Sequence, residues 1–208
     1  MENMGKSSIV HDFDKNLELS QCQKMKLLRA RIRKFYELCF LGLIDIEQPS
    51  YEIYEGKARE KSGIDTQIAF TDRDVVIQEK IRTEKYWNNR QKDIYVELKN
   101  DYRGGDGWFK KYQGNVDYLG YYWIKDDISE IYFVLYNSDF FSSVQSAIDM
   151  DLPFYPKSHL QKNSNGSIGG KTSGCIIEQK YLIGCEVARF KFDNNKFKKL
   201  ALKENKTL

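Results

Sequence analysis

The chain has 208 residues, a length that suits one domain with a sizeable hydrophobic core. Charged residues make up 30% of it and hydrophobic residues 41%, a globular composition that excludes a disordered chain. The net charge of +3 permits contact with nucleic acid but does not require it.

No apolar run approaches about 20 residues, the length that spans a bilayer, so we expect no membrane association. The first residues, MENMGKSSIVHDFD, are polar and lack the apolar region of a signal peptide. Together these features predict a cytoplasmic protein. The cysteines lack the close spacing of a zinc site, so we expect reduced, mostly buried thiols at Cys22, Cys39, Cys175 and Cys185.

Residues 1–19 show no helical periodicity, and we interpret them as an N-terminal arm. A helix is predicted from Ser20, because apolar residues then recur at steps of three and four. Its other face is basic, which either simple solvation or contact with phosphate groups explains. A short strand near 50–55 follows. The apolar stripe of the helix comprises Leu27, Leu28, Ile32, Phe35, Tyr36, Cys39 and Phe40.

Two alternating segments, GIDTQIAF and VVIQEKIR, then predict a hairpin around a polar turn over 71–74. A symmetric turn pairs Phe70 with Val75 and therefore places Asp65 directly opposite Lys80. Gln78 is a diagonal neighbour of Asp65 on the same face of the sheet. A slip by one residue would turn these side chains to opposite faces, so the interpretation depends on this register.

A third strand is predicted over 93–100, and antiparallel pairing with the second strand of the hairpin would place Glu97 opposite Gln78. The same strand contains a Glu-x-Lys sequence, Glu97-Leu98-Lys99, which is an alternative position for an acid and a lysine. That lysine is further from Asp65 in a simple hairpin arrangement, so we rank this alternative second.

Later segments complete the predicted α/β fold, a mixed central sheet flanked by helices. We expect a single domain over 20–208, with its core at about 20–150 and with late strands and a basic tail over 151–208. The later elements are a short helix over 115–121, an apolar strand over 130–137, a helix over 138–150, a loop over 153–174 and two strands within 176–192.

The hairpin carries a set of residues that suits hydrolysis of a phosphodiester bond. Mg²⁺ prefers oxygen ligands and keeps several waters, so Asp65, Gln78 and Glu97 would suffice to hold it. Lys80 beside the cation would orient the attacking water and stabilise developing charge. A solvated hairpin with an Asp65–Lys80 pair would show the same pattern without any function.

The residues Gly63-Ile64-Asp65, followed by a strand ending in Gln78-Glu79-Lys80, resemble the PD-(D/E)xK, or restriction-endonuclease-like, nuclease superfamily. The resemblance is closest to members with Gln-x-Lys, such as Mrr-type restriction enzymes and some archaeal-type Holliday-junction resolvases. It implies an αβββαβ core and an endonuclease that cuts DNA with Mg²⁺ or Mn²⁺. Asp65, Gln78 and Lys80 would be the metal-binding aspartate, the middle ligand and the lysine. Because Gln78 is neutral, Glu97 would supply the second carboxylate.

The resemblance also implies contacts with nucleic acid, for which we select Arg82, Arg103, Lys110 and Lys111. It leaves a homodimer open, because many relatives cut two strands with two sites. Two other hypotheses stand beside catalysis: a nucleic-acid-binding or protein-interaction module that retains the fold without cutting, and a purely structural accessory subunit.

Overall fold

The computed structural model of the chain describes two β-sheets and three α-helices. Its described residues are 23–40, 52–55, 65–70, 73–90, 92–101, 104–153, 159–162 and 168–202. The predicted arm over 1–19, together with Arg103 and Cys22, lies outside these residues.

Helix α1 (Gln23–Phe40) confirms the helix that the apolar periodicity predicts. Leu28, Ile32 and Phe35 are fully buried against the larger sheet. The prediction that Leu27 belongs to the same stripe is wrong, because this residue is 45% exposed. Adjacent residues of an α-helix are rotated by about 100° from each other, so Leu27 turns away from the face that contains Leu28.

The larger sheet has seven strands in the order β1-β2-β3-β6-β7-β10-β11. The pairing of β3 with β6 is parallel, and all other neighbours in this sheet are antiparallel. The chain must therefore cross over between β3 and β6. The strands are β1 (Glu52–Glu55), β2 (Thr66–Ala69), β3 (Asp74–Arg82), β6 (Tyr118–Ile124), β7 (Ile131–Asn137), β10 (Glu186–Asp193) and β11 (Lys196–Lys199).

The smaller sheet has four strands in the order β5-β4-β9-β8, and β4 forms part of the crossover. The strand predicted over 93–100 exists, but its predicted pairing with β3 is wrong, because β4 pairs with β5 and β9. The connector before β4 is a 3-10 helix, Glu84–Asn89, with a buried Trp87, and not a hairpin turn. The strands are β4 (Asp93–Asn100), β5 (Gly105–Asp106), β8 (His159–Lys162) and β9 (Ile168–Glu178).

Two further predictions are corrected. The short helix predicted over 115–121 lies earlier in the chain, as α2 (Trp108–Tyr112), and β6 begins at Tyr118. The loop predicted over 153–174 contains β8 and much of β9. The apolar strand β7 is confirmed, as is the helix after it, α3 (Asp139–Asp149). A second 3-10 helix, Gln179–Cys185, joins β9 to β10.

The seven-stranded sheet is covered on both faces. On one face, α1 packs on residues such as Ile77, Phe133 and Phe190. On the other face, β6 and β7 contribute side chains to a core shared with α2, α3 and the smaller sheet, including Val96 and Cys175. The architecture is mixed α/β, as the sequence predicts.

The three cysteines that the structure describes agree with the prediction of buried, reduced thiols. Cys39, Cys175 and Cys185 are free and buried, and burial raises the pKa of the Cys39 thiol to about 12, so that it remains protonated. None of the described helices is both long and apolar enough to cross a bilayer.

Candidate functional site

The hairpin of β2 and β3 places Asp65 next to Gln78. Gln67 pairs with Val76 and Thr66 with Ile77, so the register continues to Asp65 and Gln78. The predicted pairing of Asp65 with Lys80 is therefore wrong by two residues. A shift by two residues preserves the face on which each side chain lies, so Asp65, Gln78 and Lys80 remain on one side of the sheet.

Asp65 is oriented by the strand beside it. Its Oδ2 accepts a hydrogen bond from the backbone N–H of Glu79 at 2.7 Å and another from Nε2 of Gln78. Burial raises the pKa of the Asp65 carboxyl, and the charge of Lys80 and the bond from the Glu79 N–H oppose this increase. The fold therefore holds a carboxylate in a place where its charge is only partly compensated.

Gln78 presents an unused oxygen at the same place. Its side chain is only 2% exposed, and Nε2 donates to the Asp65 carboxylate and to the backbone oxygen of Glu79 at 3.3 Å. Both neighbours are acceptors, so the amide must turn its NH₂ group toward them. Its Oε1 is then left without a hydrogen-bond partner in the described part of the protein. A buried carbonyl oxygen without a partner is suited to a cation or a donor from a ligand.

Lys80 lies between aromatic rings and carboxylates. Its Nζ is 5.1 Å from the ring centre of Trp108 and 5.7 Å from that of Tyr112. Burial lowers the pKa of Lys80, and the charges of Asp65 and Glu97 act in the opposite direction. Within the described residues its ammonium forms no ion pair or hydrogen bond with either carboxylate. Its donors thus remain available to a ligand.

Glu97 reaches this site from the other sheet. It pairs with Gly174 of β9 and not with Gln78, which corrects the predicted register. The core between the two sheets brings β4 over the β3 face that bears Lys80, and the two side chains influence each other's pKa. Burial raises the pKa of the Glu97 carboxyl, and the charges of Lys80 and Arg82 oppose that increase.

Two glycines allow the backbone to approach Glu97 closely. A Cβ at Gly174 would lie 2.9 Å from the Glu97 Cα, and one at Gly107 would lie 2.4 Å from the Glu97 backbone oxygen. The next residue, Trp108, has its backbone N–H near the Glu97 carboxylate, which lowers the pKa of that carboxyl. The Gly107 N–H also donates to the Leu98 oxygen at 3.0 Å, which fixes α2 to β4.

Asp65, Gln78 and Lys80 thus share one face of the hairpin, and Glu97 of β4 lies near enough to Lys80 for its charge to act on the pKa of that lysine. The donor set consists of two carboxylates and one amide oxygen, which suits a hard cation such as Mg²⁺ that keeps several waters. Among the described residues, no group of three or more His, Cys, Asp or Glu side chains is placed to hold a metal ion. A cation bound here would therefore need the amide oxygen of Gln78 as its third protein ligand.

Sequence reasoning missed the part played by Glu79 behind the site. Its side chain lies on the opposite face of β3, where Tyr36 and Thr66 donate to its Oε1 at 2.7 Å each and Arg29 binds its Oε2. It is only 6% exposed. The sequence does indicate this position, because strand alternation places Glu79 on the same face as the apolar residues Val75, Ile77 and Ile81. Glu79 joins α1 to the strand that carries Lys80.

Three of the four cations chosen for contact with nucleic acid lie among the described residues, and their surroundings differ. Lys110 and Lys111 are exposed on α2, next to the site. Arg82 is only half-exposed, because its Nε donates to the Tyr121 hydroxyl at 2.6 Å and its Nη2 to the Tyr95 backbone oxygen at 3.3 Å. Its first role is therefore to join β3, β4 and β6.

The remaining acidic and basic candidates lie apart from this cluster. Lys99 of the alternative Glu-x-Lys is exposed and follows an irregularity in β4 that separates it from the register of Glu97. A polar depression of about 450 Å³ lies near the end of β10, but its Lys191 is already paired with Glu130 at 2.8 Å and Asp193 at 2.7 Å. These positions offer no carboxylate pair free for a cation.

Comparison of the chain with protein-family models, with curated proteins and with solved structures finds no match.

Proposed function

We propose that the protein is a Mg²⁺- or Mn²⁺-dependent phosphodiesterase, an endonuclease that acts on DNA. The observation that carries this proposal is a lysine, Lys80, that shares a strand face with Asp65 and Gln78 and lies within electrostatic reach of Glu97, while neither carboxylate contacts it directly. Carboxylates that serve only stability are usually paired or exposed. Here Asp65 and Glu97 are both half-buried without an ion pair in the described part of the protein, and the Gln78 Oε1 beside Asp65 has no hydrogen-bond partner there.

Asp65, the Oε1 of Gln78 and Glu97 would hold the cation, and waters would complete its coordination. When bound, the cation supplies positive charge at the phosphoryl oxygens and makes a water more acidic. Lys80 donates from Nζ to the attacking water or to a phosphoryl oxygen, in a place where burial strengthens electrostatic interactions. Its lowered pKa also allows Nζ to exchange a proton with that water more readily than an ordinary lysine.

The order of the elements supports a restriction-endonuclease-like core. Helix α1, the antiparallel strands β1, β2 and β3, helix α2 and the parallel neighbour β6 follow one another in the order αβββαβ. In this proposal β4 and β5 are an insertion within the crossover, and β4 brings the second carboxylate. The exposed cations Lys110 and Lys111 on α2 would contact the phosphates of the DNA.

The test compares Lys80→Met with Lys99→Met in cleavage of plasmid, single-stranded and branched DNA with Mg²⁺ or Mn²⁺. Methionine keeps an apolar stem of similar length while it removes the ammonium. We expect Lys80→Met to lower the cleavage rate by about 10²–10⁴-fold, and Lys99→Met, at an exposed position of the alternative Glu-x-Lys, to retain it. Equal activity in Lys80→Met and the wild-type protein would refute the catalytic proposal.

The neutral Gln78 favours one second candidate, a nucleic-acid-binding module that has lost catalysis. Such a protein would bind DNA with a strong dependence on salt and would not cut it. Calorimetric titration with Mn²⁺ distinguishes the two candidates. If the protein is a nuclease, we expect the wild-type protein to bind the cation and Asp65→Asn to lose that binding. The binding module is expected to show no such difference between the wild-type protein and Asp65→Asn.

A further inference from the structure

Tyr112 is an aromatic residue beside the site that the sequence pattern does not single out. It is the last residue of α2 and is half-buried. The Lys80 Nζ lies over its ring at 5.7 Å, and the Lys111 Nζ lies over it at 5.4 Å. Tyr112 therefore contributes to the wall around the proposed catalytic lysine.

Helix α2 holds Tyr112 in a fixed position although it has only five residues. Trp108 is stacked on Phe140 with ring centres 6.4 Å apart, and Phe109 is stacked on Phe141 at 5.6 Å. These rings belong to the core that α2 shares with α3 and both sheets. The position of the Tyr112 ring thus depends on the packed core, and side chains held in this way suit a defined contact with a ligand.

The chemical state of the Tyr112 hydroxyl follows from its surroundings. Burial raises the pKa of Tyr112, and the negative charges of Asp65 and Glu97 raise it further. The hydroxyl is therefore protonated at neutral pH, which excludes its use as a phenolate nucleophile. Within the described residues it forms no hydrogen bond, so its proton is available to a ligand.

An anionic phosphoryl group that enters this site meets two carboxylates and needs donors. Lys80 is one donor, whereas Arg82 already donates to Tyr121 and to the backbone of β4. Building on the proposed function, we infer that the Tyr112 hydroxyl donates a hydrogen bond to a non-bridging phosphoryl oxygen of the bound DNA. Tyr112 would then be a further substrate-binding residue of the same site.

The test uses Tyr112→Phe, which keeps the ring over Lys80 and removes only the hydroxyl. Tyr181→Phe is the matched control, because Tyr181 is also half-buried and has a lysine, Lys180, 4.9 Å from its ring centre, on the second 3-10 helix. Affinity for a short fluorescent DNA is measured by anisotropy with Ca²⁺, and single-turnover cleavage is measured with Mg²⁺. Melting temperatures of both variants are recorded in parallel.

We expect Tyr112→Phe to weaken DNA binding or slow cleavage by about 10-fold to 100-fold, with an unchanged melting temperature, since one hydrogen bond to a charged acceptor is lost. Tyr181→Phe is expected to behave as the wild-type protein. If Tyr112→Phe matches Tyr181→Phe in both assays, the inference is overturned while the proposed function survives on Lys80. A loss that accompanies a lower melting temperature would also overturn it, because packing would then explain the effect.

The two proposals fail in different ways. If the wild-type protein binds DNA without cutting it, the proposed nuclease activity is refuted. If Tyr112→Phe then binds DNA more weakly than the wild-type protein, the proposed contact of Tyr112 with DNA is still supported. A wild-type protein that does not bind DNA at all would refute both.

Discussion

Substitution of Gly107 by alanine tests how the two sheets build the site. The backbone of Gly107 has φ −70° and ψ 171°, an extended conformation that alanine adopts without strain. Its Cβ, however, would lie 2.4 Å from the Glu97 oxygen, whereas ordinary van der Waals contact begins at 3.4 Å. Helix α2 and β4 must therefore separate by about 1 Å. Overpacking of this kind typically costs about 1–3 kcal/mol of stability.

The same displacement changes the site, because it moves Trp108 and Tyr112 relative to Glu97. A misplacement of about 1 Å can lower a catalytic rate by about 10²-fold. Urea unfolding measures the free energy of unfolding, and single-turnover cleavage of DNA measures the rate. The control is Gly105→Ala, two residues earlier, where a Cβ meets nothing within 4 Å. If Gly107→Ala retains the stability and activity of Gly105→Ala, then α2 is not fixed to β4 as described.

Two more predictions concern the buried carboxylates. Because the pKa of Asp65 is raised in the folded state, its charge lowers stability as pH rises, so metal-free Asp65→Asn should melt at a higher temperature than the wild-type protein at pH 7. This difference should shrink as pH falls toward about 4, the unfolded pKa, and a lower melting temperature at pH 7 would contradict it. Glu79→Gln should lower the free energy of unfolding by about 2–3 kcal/mol, since it removes the charged acceptor to which Arg29, Tyr36 and Thr66 donate. Urea titration checks this against Glu37→Gln on α1, which loses a surface pair with Lys34 and should cost about 0.5 kcal/mol; equal values would contradict the role of Glu79.

The faces of the hairpin could be predicted from the sequence, but its register could not. Alternation alone places Asp65, Gln78 and Lys80 on one side of the sheet, and any even register preserves that result. The last pair of the ladder is Ala69 with Asp74, and beyond it the Phe70 N–H donates to the Arg73 oxygen, so Phe70 does not pair with Val75 as predicted. The composition marks 71–74 as polar, yet the apolar Phe70 already lies outside the strand, where it packs on Phe40 of α1.

Pairing between distant strands could not be predicted, and it determines where Glu97 lies. The pattern of 93–100 is correct for a strand, but nothing local distinguishes β3 from β9 as its partner. Gly169, Gly170 and Gly174 favoured a loop over 153–174, because glycine is uncommon in strands. At Gly174 the absence of a side chain is required instead, since a Cβ would lie 2.0 Å from the Val96 oxygen. The close packing of β9 against β4 therefore requires glycine at this position, although glycine has a low propensity for strands.

The origin of the site in two sheets has a consequence for the kinetics of folding. Asp65, Gln78 and Lys80 come together when a local hairpin closes, which needs only a short loop. Glu97 is held in place only after β4 has paired with β9, which begins at Ile168, far along the chain from the end of β4 at Asn100. Contacts of such high sequence separation form slowly. During refolding, the proposed cation affinity should therefore recover later than the hairpin forms, and a cation titration at successive refolding times would measure this delay.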